Sequence, residues 1–85
     1  MSDEELDAAL CRVMATSPEG LAAKRLLGNL QSLPPRQRAA VVLTYQEGLS
    51  NAEVAEVLDT SVSGVETLLV RARRTLRVAF ESDQS

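Results

Sequence analysis

The sequence predicts an all-α fold, a four- to five-helix bundle containing a helix-turn-helix and no strands. Three observations predict it. Apolar residues recur at helical spacing, and no stretch alternates with a period of two. The three prolines and the Ser-led capping patterns fall between the apolar stretches, where helices start and stop. Tyr45 and Phe80 are the only aromatic residues among 85. The core must therefore be a modest one of Leu, Val and Ala, shared by neighbouring helices.

The first helix is expected over residues 3–14. Ser2 with Glu5 forms a capping box, and an acidic first turn suits the helix dipole. Leu6, Leu10, Val13 and Met14 fall on one stripe, which fits packing on its own domain and docking on a partner equally well. A second helix follows, with Ser17 as N-cap and Pro18 in its first position. It reaches about Gln31, with Leu21, Leu27 and Leu30 inward and Lys24 and Arg25 outward. Leu33-Pro34-Pro35 ends it, because proline disfavours helical backbone at the preceding residue.

Pro35 begins a third helix running to about Glu47. Ala39, Val42, Leu43 and Gln46 share a face, with Tyr45 beside it. Gly48 is placed as a left-handed cap, and Leu49 folds back onto the helix. Ser50 with Glu53 is a second capping box and starts a short fourth helix, Asn51 to Leu58, with Val54, Ala55 and Leu58 inward. Asp59-Thr60 makes a tight turn. Ser61 caps a fifth helix reaching about Phe80, with Val65, Leu68, Leu69, Ala72, Leu76 and Phe80 on one stripe. The chain thus divides into an N-terminal amphipathic helix or linker (1–16), a helix-turn-helix domain (17–80) and a frayed tail (81–85).

Composition argues against an enzyme. The chain has no His and a single cysteine, Cys11. It has no metal-ligand cluster and no glycine-rich phosphate loop. Cys11 therefore has no histidine to activate it and reads as a small packing residue. No cofactor or metal is expected. A lone cysteine allows no internal disulfide and suits a reducing cytoplasmic location. No stretch approaches the roughly 18 apolar residues of a membrane span. Met1 opens an acidic segment, unlike a secretory signal.

The net charge of −3 is unevenly spread. Residues 1–20 carry five acids against Arg12. Residues 21–80 carry eight bases against five acids. Glu81 and Asp83 complete an acidic balance confined to the two ends, around a mildly basic middle. That asymmetry is a better guide to partners than the total.

A short helix, a tight turn and a longer helix make the helix-turn-helix pattern. Its two helices cross closely, so the first needs a small residue at the contact, and Ala55 stands there. Val65 seats the second helix on the first, with Leu58 and Leu68 extending the seat. Asp59 opens the turn and tolerates a left-handed backbone better than most residues. Opposite the apolar stripe of the fifth helix lie Ser63, Thr67, Val70 and Arg74, flanked by Glu66, Arg71, Arg73 and Arg77. Short polar residues in the first turns suit entry into a major groove, and arginines further along suit phosphates. Ser61 belongs with this entry turn. Ser50 and Asn51 open the fourth helix, whose free N–H groups suit a phosphate. Arg36 and Arg38 open the third helix, where contact with the DNA backbone and plain solvation both fit.

The run Leu33-Pro34-Pro35-Arg36-Gln37-Arg38-Ala39-Ala40-Val41-Val42-Leu43 resembles the opening of region four in extracytoplasmic-function (ECF) sigma factors. Gly48 to Leu58 resembles its first helix-turn-helix helix, and Ser61 to Leu76 its recognition helix. The resemblance covers about residues 17–78. It implies a region-four type of helical domain, related to the winged-helix proteins but without strands. It also implies binding to the minus thirty-five promoter element of double-stranded DNA, docking on the beta-subunit flap of RNA polymerase, and control by an anti-sigma factor. Such factors carry an upstream region for the minus ten element, and nothing here corresponds to it. This leads us to expect an excised domain or a truncated form. Glu66 and Leu68 stand where many relatives have Lys and Arg. Leu68 faces the core, but Glu66 lies on the groove side and repels phosphates, and with so small a basic surplus this domain alone is expected to bind DNA weakly. Two other readings fit the same residues. One is a sigma-like module that binds an anti-sigma factor without touching DNA. The other is the output domain of a response regulator, although the fifth helix is long for that.

Overall fold

The computed structural model of the chain describes residues 2–15 and 28–83. It is all-α, with no strand among the described residues. Helix α1 spans Asp3–Ala15. Residues 28–32 are helical and form α2. Helix α3, Pro35–Val41, runs directly into a π-helical turn, Val42–Gln46. Helix α4 spans Asn51–Leu58, and α5 spans Val62–Asp83. The expected start of the second helix at Ser17 and Pro18, and the placements of Leu21, Lys24, Arg25 and Leu27, lie outside the described residues. So does the side chain of Phe80.

Local chemistry fixes the boundaries. Ser2 Oγ accepts the Glu5 N–H at 3.2 Å, opening α1. At α4 the capping box is complete: Ser50 Oγ accepts the Glu53 N–H at 3.2 Å, and the Glu53 carboxylate accepts the Ser50 N–H at 3.0 Å. The bond from the Ser50 backbone N–H, and next the Ser50 side chain, hold the Glu53 carboxyl below its usual range. Ser61 Oγ caps α5 by accepting the Gly64 N–H at 3.0 Å.

The π-helical turn is not foreshadowed by any simple sequence signal. Glu47 N–H reaches five residues back to the Val42 carbonyl, at 3.2 Å. Gly48 then adopts φ +71, as its place after the helix requires. Leu49 N–H closes the turn on the Leu43 carbonyl at 3.1 Å. That bond is one residue wider than the usual Schellman closure, because the preceding turn is itself widened. Leu49 folds back against the core.

Every described helix contributes to one aliphatic core. It holds Leu6 and Leu10 of α1, Leu30 and Leu33 around the end of α2, Ala40 and Val41 of α3, and Val54 and Ala55 of α4. Helix α5 supplies Val65, Leu69, Ala72 and Leu76. No polar or charged side chain is buried among the described residues. Two expectations change here. The α1 stripe packs on its own domain, against the π turn and α5. The third helix buries Ala40 and Val41, leaves Ala39, Val42 and Leu43 half-buried, and exposes Gln46. Two neighbours cover it, α5 on one side and α1 along the π turn, so a single helical face does not describe it.

Candidate nucleic-acid interface

The helix-turn-helix is built from α4, the turn and the first turns of α5. Ala55 is 6% exposed and Val65 fully buried, while Leu58 and Leu68 pack half-buried beside them. Asp59 takes the left-handed conformation, φ 53 and ψ 53. Thr60 N–H then reaches the Ala55 carbonyl at 2.9 Å, the Schellman closure that satisfies the end of α4. Gly64 was not singled out by the sequence. A Cβ there would lie 2.4 Å from Thr60 Oγ1, so any larger residue would force the Thr60 side chain to move.

Arg36 and Arg38 have work inside the domain. Arg36 Nη2 donates to the Leu58 carbonyl at 3.0 Å, placing a cation at the C-terminus of α4, where the helix dipole favours it. Arg38 Nη1 donates to the Gln31 carbonyl at 3.4 Å. Both hold helix ends beside the helix-turn-helix, and Arg36 stays exposed. At Ser50 and Asn51 the capping box uses two N–H groups and sets the Glu53 carboxylate beside the helix start. A phosphate there would meet that negative charge.

The outward face of α5 is continuous. Ser63, Glu66, Thr67, Val70, Arg71 and Arg74 line one shallow depression, and all six are exposed. Val70 is 51% exposed, a large apolar side chain in the middle of a polar strip. Thr67 Oγ1 donates to the Ser63 carbonyl at 3.1 Å. Its hydroxyl proton is thereby used, leaving an acceptor oxygen and a methyl group facing outward. Among the described residues, no hydrogen bond or ion pair engages the side chains of Glu66, Arg71 or Arg74.

Arg73 and Arg77 behave differently. Arg73 Nε donates to Tyr45 Oη at 2.9 Å and lies 3.2 Å from Asp7 Oδ1. Tyr45 donates in turn to the Asp7 carboxylate, which joins α1, the π turn and α5. Arg77 pairs with Asp3. Burial, and next the bond to Asp7, push the Tyr45 phenol up to about 12. Burial alone would lower the Arg73 pKa. The hydrogen bond to Tyr45 and the charges of Tyr45 and Asp7 more than offset that, leaving it raised. Asp3, Val70, Arg73, Arg74 and Arg77 line a second depression next to the first. The structure thus divides the four arginines, two facing outward without partners among the described residues and two held by acids of α1. The sequence reading missed Asp7 and Tyr45 as members of this cluster. The available signal was a lone tyrosine on a basic, otherwise aliphatic scaffold.

No group of three or more His, Cys, Asp or Glu among the described residues is placed to hold a metal. No described helix is long and apolar enough to cross a membrane.

Comparison with known proteins adds an independent line. The family described as Sigma-70, region 4 matches residues 24–76. The chain is 40% identical over 65 residues to the ECF RNA polymerase sigma factor BldN of Streptomyces coelicolor, covering 76% of this chain and 25% of that protein. It is 32% identical over 65 residues to the RNA polymerase sigma factor FliA of Yersinia enterocolitica, covering 76% of this chain and 28% of that protein. The chain therefore spans about a quarter of the length of these curated relatives. No solved structure matches it.

Proposed function

The chain belongs to the sigma-70 region 4 family, and from that premise we propose that it reads the minus thirty-five promoter element as part of a sigma factor directing transcription initiation. The observation that carries this reading is the exposed strip Ser63, Glu66, Thr67, Val70, Arg71 and Arg74 on a helix seated by a helix-turn-helix. Ser63, Glu66, Thr67 and Val70 face base edges. Arg71 and Arg74 meet phosphates and set the register. Glu66 accepts hydrogen bonds only, and Thr67 has already spent its proton. The strip ahead of Arg71 therefore favours base edges that present amino donors or a thymine methyl. Ser61 serves as the cap that orients this turn. Arg36 and Arg38 brace the helix ends, and Ser50 and Asn51 sit at the edge of the interface.

The same reading takes the RNA polymerase core, through the beta-subunit flap, and an anti-sigma factor as protein partners in the cytoplasm. Residues 17–80 form the reading unit, and α1, from the segment preceding it, packs onto that unit through Leu6 and Leu10.

The test is selection from a randomised duplex DNA pool at low and moderate salt. Enrichment of a short motif that survives added salt is the expected result. Salt-sensitive binding without a motif, or no binding, would overturn promoter reading and favour the module that binds an anti-sigma factor alone.

A further inference from the structure

We infer that α1 is an intramolecular competitor of the phosphodiester backbone, its Asp3 and Asp7 carboxylates holding α5 arginines that DNA would otherwise take. The inference rests on the proposed reading of α5 as the DNA-facing helix. Asp3 lines the same depression as Val70, Arg73, Arg74 and Arg77. Val70 and Arg74 also line the reading strip, so this anion site continues the interface. A carboxylate offers two anionic oxygens, as a phosphodiester does, and Asp3 places its own on Arg77. Asp7 does the same for Arg73, with Tyr45 bridging them.

The contact is built to give way. The Asp3 side chain is 72% exposed, and exposed ion pairs are weak. Arg77 Nε is buried without a hydrogen-bond partner, so the pairing with Asp3 leaves part of this guanidinium unsatisfied. Leu6 and Leu10 are fully buried, so the helix stays in place while its carboxylates are displaced. Anion exchange then needs only side-chain rotation. Each arginine released adds about 0.9 to the salt slope of binding.

Two double variants of the full chain test this. Asp3→Asn with Asp7→Asn removes both competing carboxylates. Glu4→Gln with Glu5→Gln changes the net charge equally on the same helix, at residues that are exposed and outside the depression. Binding to a fixed duplex is measured against salt. The Asp3/Asp7 variant is expected to bind roughly five- to tenfold tighter at low salt, with a slope steeper by about one to two. The Glu4/Glu5 variant should gain less and keep the original slope. If the two variants move together, the competition is refuted, because only net charge matters. The same pair is run against inorganic polyphosphate. That arm decides the competition even where no duplex motif is enriched, an outcome that would sink promoter reading alone.

Discussion

Helix α5 carries two kinds of surface on one continuous element. Its first half, Val62 to Val70, turns Ser63, Glu66, Thr67 and Val70 outward, and among the described residues no hydrogen bond or ion pair from another helix engages them. In its second half, Arg73 and Arg77 are already met by acids from α1, while Arg71 and Arg74 are not. The difference lies in what stands beside each half. Helix α5 packs chiefly on α3 and α4, and along its second half α1 and the π turn bring Asp3, Asp7 and Tyr45 alongside the arginines. A row of arginines is thus not a uniform phosphate-binding face. Its members differ in how much of their charge the fold has already answered.

The comparison requires α1 to be a fixed part of the domain, and the strongest way to break it is to hollow that contact. Leu10 is fully buried. Leu10→Ala should cost about 2–5 kcal/mol, as large-to-small changes in well-packed cores do. In a domain of this size each kcal/mol lowers the melting temperature by roughly 4–8 °C. An unchanged melting temperature would mean that α1 does not pack here and that Arg73 and Arg77 lack fixed counter-charges. Next in size is Ala55→Leu, which should cost about 1–3 kcal/mol by overpacking the crossing of α4 and α5. A variant that melts like the parent would refute the helix-turn-helix register on which the first half of α5 depends.

Much of the architecture was legible because its signals are local. Ser2, Ser50 and Ser61 act as caps through their own hydroxyls, and Asp59 and Gly48 take the left-handed backbone their positions demanded. Ala55 and Val65 occupy the core as spacing required. What stayed hidden depends on contacts between segments far apart in sequence. Tyr45 and Asp7 are 38 residues apart, and neither position carries a pattern announcing the other. The π turn also escaped, since nothing in the local pattern of Val42–Gln46 marks its widened hydrogen bond. Gly64 carries no local signal either, because its constraint comes from the Thr60 side chain of the turn packed against it.

A smaller effect sharpens the contrast between paired and unpaired arginines. Arg74→Ala should weaken binding to every duplex by roughly 3- to 10-fold at low salt and lower the salt slope by about one. Arg73→Ala should do less, because Asp7 and Tyr45 already hold its guanidinium. Glu66→Ala should instead alter the preferred base at one position. Titrations of the three variants on one duplex, with selection repeated for the Glu66 variant, make the comparison. Intact binding by Arg74→Ala at moderate salt would remove that residue from the groove-facing strip.

The smallest effect isolates the tyrosine that joins the two regions. Tyr45 ionises near 12 in the folded chain, against about 10 for a free phenol. The neutral phenol is therefore the form the fold favours. Its contribution is fully present below pH 10 and is lost as pH rises from about 10 to 12. Tyr45→Phe deletes the bonds to Asp7 and Arg73. Because the site is half-exposed, the cost at neutral pH should be near the low end for a hydrogen bond, about 0.5 kcal/mol. The variant should also lose less stability than the parent between pH 7 and 11, since the titrating group is gone. Melting temperatures across that range read both effects. Parallel curves would show that the phenol is not held by Asp7 and Arg73. Arg73 would then be as open to phosphate as Arg71 and Arg74 are.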